Sequence, residues 1–181
     1  MKTAPKLKFV GLHAHSVAGS PFDAMGYPQE HMDAAWANDM DALALTDHGN
    51  MNGFSWQVEH AKKMQKEGKN FKPIFGVEAY FIPSVENWKE EYEKIKADKK
   101  EAKKLLSSSD KASIEDEGES KKKAKNRVNA RRHIVLLAQN QIGLNNIYKM
   151  ISLSHQGDNF YRYPRIDYDM LEKYGEGIMA S

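Results

Sequence analysis

The sequence predicts an α/β fold with parallel strands. Two patterns carry that expectation. Short apolar runs bounded by turns alternate with longer amphipathic stretches along most of the chain, as strand–helix repeats do. The apolar runs also lead directly into strings rich in His, Asp and Glu, so polar chemistry gathers where strands leave a core.

Taken in order, residues 7–15 alternate and precede a loop, which predicts a short first strand. Residues 28–40 form a helix, with Pro28 tolerated in the first turn because its missing N–H would have no partner there. DALALT at 41–46 is a buried strand, and residues 52–67 are a helix that Gly68 closes. PIFGVEAYFI at 73–82 is the next strand, and IVLLA at 134–138 another. A helix over 144–153, a short helix over 169–174 and the start of a strand at 177–181 complete the series. No internal repeat is visible.

At 181 residues the chain is one domain or a piece of a larger one, and it is long enough to bury a core. No apolar stretch approaches the ~18 residues of a membrane span, and the basic start lacks the apolar centre of a signal peptide, so a cytoplasmic protein is expected. With no cysteine, a disulfide scaffold and a thiolate zinc site are both excluded. Any metal site must use His, Asp and Glu.

The net charge of +2 hides an asymmetry. Residues 84–132 hold 15 of the 27 basic and 11 of the 25 acidic residues. This divides the chain into 1–83, a charged insertion at 84–132, and a continuation at 133–181. Within the insertion, residues 86–106 place Trp88, Tyr92, Ile95, Ala102 and Leu106 near one face of a helix. Residues 107–125 are Ser-rich and nearly without apolar anchors, and read as a flexible loop. A solvated insertion and a phosphate-binding arm are both compatible with that composition.

Three strings carry chemistry: LHAHS at 12–16, LTDHGN at 45–50 and GVEAY at 76–80. On a strand, His13 and His15 point to one face and could share a metal ion; two surface histidines are the bland alternative. TDHGN leaves a buried strand at its C-terminal end, with Gly49 permitting a tight exit; the alternative is a helix-entry turn capped by Asp47 or Asn50. Alternation sets Glu78 opposite Val77, Ala79 and Phe81, in a strand apolar on both faces. A carboxylate buried there requires a cation or donors, unless the strand is an edge and Glu78 meets solvent. His133 opens the IVLLA run and taken singly would be a loop residue. His31, His60 and His155 lie in polar helical stretches and receive no metal role.

Together, LHAHS, ALALTDHGNMNG, KPIFGVEAYF, HIVLLAQNQIGLNNIYKMISLSH and FYRYPRID resemble the polymerase and histidinol phosphatase (PHP) domain. The later stretches resemble its polymerase branch in particular, the N-terminal PHP domain of the DNA polymerase III alpha type. The resemblance implies a distorted (β/α)7 barrel, TIM-barrel-like, with up to three divalent ions (Zn²⁺, Mn²⁺ or Fe) at the C-terminal rim. It implies His13, His15, Asp23, His48, Glu78 and His133 as metal ligands, and His13, His15, His48 and Glu78 as the groups carrying the chemistry. Asp23 lies in SPFDA, offset by about one residue from the family's pattern and followed by Ala24 where the family has Gly. The family's last ligands, a Cys and an Asp-x-His pair, have no counterpart, so the chain is expected to be an N-terminal piece with an incomplete barrel and an open seam beside its first strand.

The activity this implies is metal-dependent phosphoester hydrolysis or 3′→5′ proofreading, within a replicative polymerase whose polymerising region is absent from these residues. The implied partners are DNA and replisome proteins such as a proofreading exonuclease subunit, with no membrane. Two other readings stand beside it: a non-catalytic docking module for that subunit, and a stand-alone PHP phosphatase.

Overall fold

The computed structural model describes residues 8–106 and 130–181. The elements are α1 (Pro28–Ala37), β1 (Ala42–Leu45), α2 (Phe54–Lys66), β2 (Lys72–Phe81), α3 (Val85–Leu106) and β3 (Arg132–Ala138). After them come α4 (Gln141–Ser154), a 3₁₀ turn (Gly157–Asn159), β4 (Phe160–Tyr161), β5 (Tyr163–Ile166), α5 (Tyr168–Tyr174) and β6 (Ile178–Ala180). The expected loop over 107–125 lies outside the described residues.

The ten-residue β2 is the axis of the sheet. One of its edges is shared in series. β1 pairs parallel with Lys72–Phe75, His48 bridges Glu78, and β5 pairs parallel with Tyr80 and Phe81. The other edge pairs with β3, from Gly76↔Leu137 to Phe81↔Arg132. This pairing is antiparallel, as are those of β6 with β3 and β4 with β5, which corrects the expectation of uniformly parallel strands. The cause is where the insertion attaches. Phe81 ends β2 beside Arg132, which begins β3, so the chain leaves and re-enters the sheet at one end. The fold is therefore mixed α/β, and among the described residues its strands do not close into a ring.

The segment expected as a first strand runs beside β1 but forms only one bridge, Gly11↔Leu43. Ala44 N–H donates to the Gly11 carbonyl and Thr46 N–H to the Ala14 carbonyl, both at 2.8 Å. Phe9 and Leu12 are largely exposed beside it. Among the described residues the segment pairs with β1 alone, without a second ladder to hold it regular.

Two apolar clusters support the sheet. Val77, Ala79 and Phe81 of β2 pack with Leu136, Ile166 and the α4 residues Ile147 and Met150. Leu43 and Leu45 of β1 pack with Met32 and Ala35 of α1, Met64 of α2 and Phe71. Alternation therefore leaves Glu78 and Tyr80 on the opposite side of β2 from its core residues.

Local signals end the helices where they stop. Glu30 accepts the Tyr27 N–H at 2.6 Å at the start of α1, and Gly68, at φ +79, closes α2. Asn140 caps α4 by accepting the Gly143 N–H, and Asp167 caps α5 by accepting that of Met170. The β4–β5 turn was not anticipated from sequence; its hinge residue Arg162 takes φ 62.

A buried cation helps to seat the insertion's helix. Arg165 is 4% exposed, donates to the carbonyls of Asp158 and Asn159, and lies 3.5 Å over the Trp88 ring of α3. Burial pushes its pKa down to about 10, so it stays charged at neutral pH. Trp88 stacks on Tyr92, and both meet Tyr161. Trp88, Tyr92 and Ile95 are half-buried along α3, the face its periodicity marks; the side chains from 102 onward lie outside the described residues.

Gly143 provides a test of the α4 packing. Helix propensity alone predicts that Gly143→Ala stabilises by about 1 kcal/mol. In the structure the added methyl would overlap the Gly177 carbonyl oxygen, a backbone atom without freedom to yield. The expected result is a net loss of about 1–3 kcal/mol, read as a lower urea midpoint at unchanged slope.

Candidate metal centre

Glu78 lies in the middle of β2 and is 4% exposed. Its backbone is held on both sides: Glu78 N–H donates to the Asp47 carbonyl at 3.1 Å, and Gly49 N–H donates to the Glu78 carbonyl at 2.8 Å. Gly49 takes φ +65, the left-handed turn that brings the chain out of β1 and sets His48 against Glu78.

The imidazoles arrive from three segments. His13 and His15, two residues apart on the extended segment beside β1, put their Nε2 atoms 2.7 and 2.6 Å from Glu78 Oε2. His133, the second residue of β3, contacts Glu78 Oε1 through Nδ1. His48 directs Nδ1 toward Glu78 Oε2 at 3.5 Å. Asp23 joins from the loop before α1, with Oδ2 2.7 Å from His48 Nε2 and 3.5 Å from His15 Nδ1. All six residues singled out from sequence thus meet in one place. His60 instead pairs with Asp33, and His155 contacts the Ile151 carbonyl.

The donor set suits a divalent cation. Ligand atoms within 4.8 Å of one another form three groups: His13, His15 and Glu78; His15, Asp23 and His48; and His48, Glu78 and His133. The Nε2 atoms of His13 and His15 are 3.1 Å apart and aim at the same carboxylate oxygen. Both nitrogens converge on one point, so with their lone pairs free they would share a cation there. His48 Nδ1 is buried without a hydrogen-bond partner among the described residues, so it is available as a ligand.

Residues outside the predicted set hold these ligands in place. Asp47 is buried and accepts the Ser16 backbone N–H at 2.6 Å and its hydroxyl at 2.8 Å, fixing the chain just after His15. Ser20 Oγ accepts the His48 N–H at 3.0 Å, and Asn50 donates to the carbonyls of Gly19 and His48. The TDHGN string contained both Asp47 and Asn50, but only the fold shows which way they turn. Asp47 points inward and caps no helix. Tyr80 was also not anticipated; its ring stacks on His48 at 5.9 Å and meets His133 edge-on at 5.1 Å.

Burial works hardest against ionisation of Glu78. Hydrogen bonds from His13, His133 and His15, with the charge of His48, outweigh it and hold the carboxyl below its ordinary value of 4.5. A carboxylate lowered on folding adds stability above its unfolded pKa, and that stability is lost as pH falls through the folded one. The metal-free chain is therefore expected to lose stability on acidification below about pH 4.5. The Glu78→Gln variant should lack that component in urea melts taken as a function of pH.

A family model described as the PHP domain matches residues 11–181. The DNA polymerase III subunit alpha of Borreliella burgdorferi is 32% identical over 174 residues, 96% of this chain and 12% of that relative. The DNA polymerase III subunit alpha of Aquifex aeolicus is 31% identical over 172 residues, 95% of this chain and 12% of the relative. The chain thus spans about 12% of the length of these curated relatives. Among solved structures, an amidohydrolase from Chromobacterium violaceum with bound sulfate and no metal aligns over 78% of this chain and 32% of its own, at 17% identity and a TM-score of 0.40.

Glu78 belongs to two of the three ligand groups and Asp23 to one. Metal content per chain, measured by atomic absorption after gel filtration, should therefore fall further in Glu78→Gln than in Asp23→Asn. Equal losses would contradict this division of the site.

Proposed function

Since the chain belongs to the PHP domain family, we propose that its His/carboxylate centre is the site of metal-dependent phosphoester hydrolysis. The observation that carries the reading is the sharing of Glu78 and His48 between ligand groups, which lets adjacent ions act on one phosphate. All-nitrogen-and-oxygen ligation suits Zn²⁺, Mn²⁺ or Fe. Such ions, when bound, polarise a phosphoryl oxygen and supply hydroxide from water at neutral pH.

The chain's own residues do the rest. Buried Glu78 neutralises positive charge from within the sheet, while Asp23, whose side chain is about half exposed, borders the open side where a substrate enters. Asp47 and Ser20 keep His15 and His48 from turning away. His13, His15, Asp23, His48, Glu78 and His133 are the ligands in this reading, and His13, His15, His48 and Glu78 carry the chemistry.

The relatives' name supports a place in DNA replication, as the PHP part of a polymerase of the III alpha type acting on a nucleic-acid 3′ end. DNA and replisome proteins are then its partners, and the compartment is the cytoplasm. In this reading the charged insertion at 84–132 divides the PHP domain into the segments 1–83 and 133–181. The convergence of six ligand-type residues favours chemistry over a purely docking role. Among the described residues no helix is long and apolar enough to cross a membrane.

The test is hydrolysis of a chromogenic phosphodiester and of a 3′-labelled single strand, with Mn²⁺, Zn²⁺ or Fe²⁺ added in turn. Both these 181 residues and a longer polypeptide carrying the polymerase region are assayed, because the chain spans about 12% of the length of its relatives. The expected outcome is metal-dependent release of 3′ nucleotides by the longer chain, reduced at least ~100-fold by His13→Ala or His48→Ala, the scale of losing a principal electrostatic stabiliser. Hydrolysis that survives both substitutions would sink the proposal.

A further inference from the structure

Imidazoles that hold a metal ion are commonly kept in orientation by donating their second N–H to a carboxylate or a carbonyl. His48 is arranged otherwise. Its Nε2 faces Asp23 at 2.7 Å and its Nδ1 faces Glu78 at 3.5 Å, so both nitrogens turn toward groups that are themselves candidate ligands. His133 meets Glu78 through Nδ1 and is otherwise exposed. Among the described residues neither ring donates to an acceptor outside the ligand set.

One side chain touches both rings. Tyr80 follows Glu78 by two residues on β2, so alternation puts it on the same face, directly opposite His133. Its ring lies nearly parallel to that of His48, at 12° and 5.9 Å between centroids, and meets His133 at 86° and 5.1 Å. Both are geometries that aromatic pairs favour. Tyr80 is supported in turn. Tyr163 of β5 lies 4.9 Å from it, and the Arg131 guanidinium sits 3.8 Å over Tyr163 and 5.2 Å from Tyr80. A side-chain carbon added to Gly49 would come within 2.7 Å of Pro164 Cγ and 3.4 Å of Tyr80 Cε2, so the turn that presents His48 closes against the same ring. Tyr80 is thus fixed by β5 and by the His48 turn, and the two imidazoles take their places against it.

We propose that Tyr80 is a positioning residue whose ring sets His48 and His133 relative to each other, and so holds together the ligand group that these two histidines form with Glu78. This role rests on the metal-binding part of the reading above and not on the hydrolysis itself. The ring acts by its shape and its faces, so its hydroxyl is dispensable and the readout is metal binding.

Co²⁺ titrations of the whole chain, followed by visible absorption and by competition with a chelator, read the ligand geometry directly. Tyr80→Leu should weaken Co²⁺ binding by about 10- to 100-fold, the scale for residues that orient metal ligands, and should alter the absorption band. Tyr80→Phe should match the unaltered chain. Tyr148→Leu removes another half-buried phenol ring, one that packs on Phe54 and on no ligand, and should leave both affinity and band unchanged. In a His133→Ala background Tyr80→Leu should cost far less than in the unaltered chain, because the pair it holds is already broken; a ring needed only for packing would cost the same in both. Urea melts of the metal-free variants establish that each is folded. If Tyr80→Leu is not, Tyr163→Leu, which removes the support beside the ring, takes its place with the same expectations. Unaltered binding in the folded leucine variant, loss in Tyr80→Phe, or equal cost in both backgrounds would overturn this role. A lack of Co²⁺ binding by the unaltered chain would overturn it together with the metal-dependent reading. Failure of diester hydrolysis while the Tyr80 effect persists would count against the hydrolytic reading alone.

Discussion

A carboxylate placed in the middle of an apolar strand costs several kcal/mol unless donors or a cation meet it. Glu78 is in that position, 4% exposed on β2, and the folded chain brings His13, His15 and His133 into contact with it from two other segments. Satisfying this one group requires the extended segment to lie along β1 and β3 to pair in its observed register. The register sets His133 opposite Tyr80, two residues along from Glu78 and on the same face. The candidate site and the arrangement of the sheet are therefore set by the same requirement.

The other side of β2 supplies the energy. Val77, Ala79 and Phe81 pack into the α4 cluster, and a side chain of this kind contributes about 1.5–3 kcal/mol when buried. Period-two alternation thus lets one strand hold a dry core on one face and a polar cluster on the other. The same division explains Asp47. It leaves β1 buried, and its two bonds to Ser16 satisfy it while tying down the chain after His15. Removing it would expose no ligand directly but would free the segment that carries two of them.

The charged insertion is joined to this body by a small aromatic seat. Arg165 is desolvated between Trp88 and the carbonyls of Asp158 and Asn159, so α3 is anchored at its first turn while its later turns present Lys and Glu to water. Arg165 belongs to the YPRID string, which at the level of sequence served only as a marker of resemblance. In the structure the string builds β5, closes the end of β2 and carries the anchor, and its Asp167 also accepts the Val85 N–H that starts α3.

Element type and approximate extent were legible in the sequence wherever periodicity was strong. The helices α1, α2 and α4, the strands β1 and β2, and the amphipathic face of α3 are local patterns that tertiary packing reinforced. The ligand types were legible too, because HAH, TDH and the Glu of GVEAY place chemical groups at strand ends. Strand direction was not. Whether β3 runs with or against β2 depends on where a long connection re-enters the sheet, and no residue within IVLLA records that. Nor could sequence show that residues 8–15 stay irregular, since regularity needs a partner on a second edge. The inward turn of Asp47 and the seating of Arg131 over Tyr163 join residues 31 and 32 positions apart in the chain. Sequence by itself fixed which groups are available and the local geometry that presents them; only the tertiary structure decided which of them meet, because that depends on distances through space that no local pattern encodes.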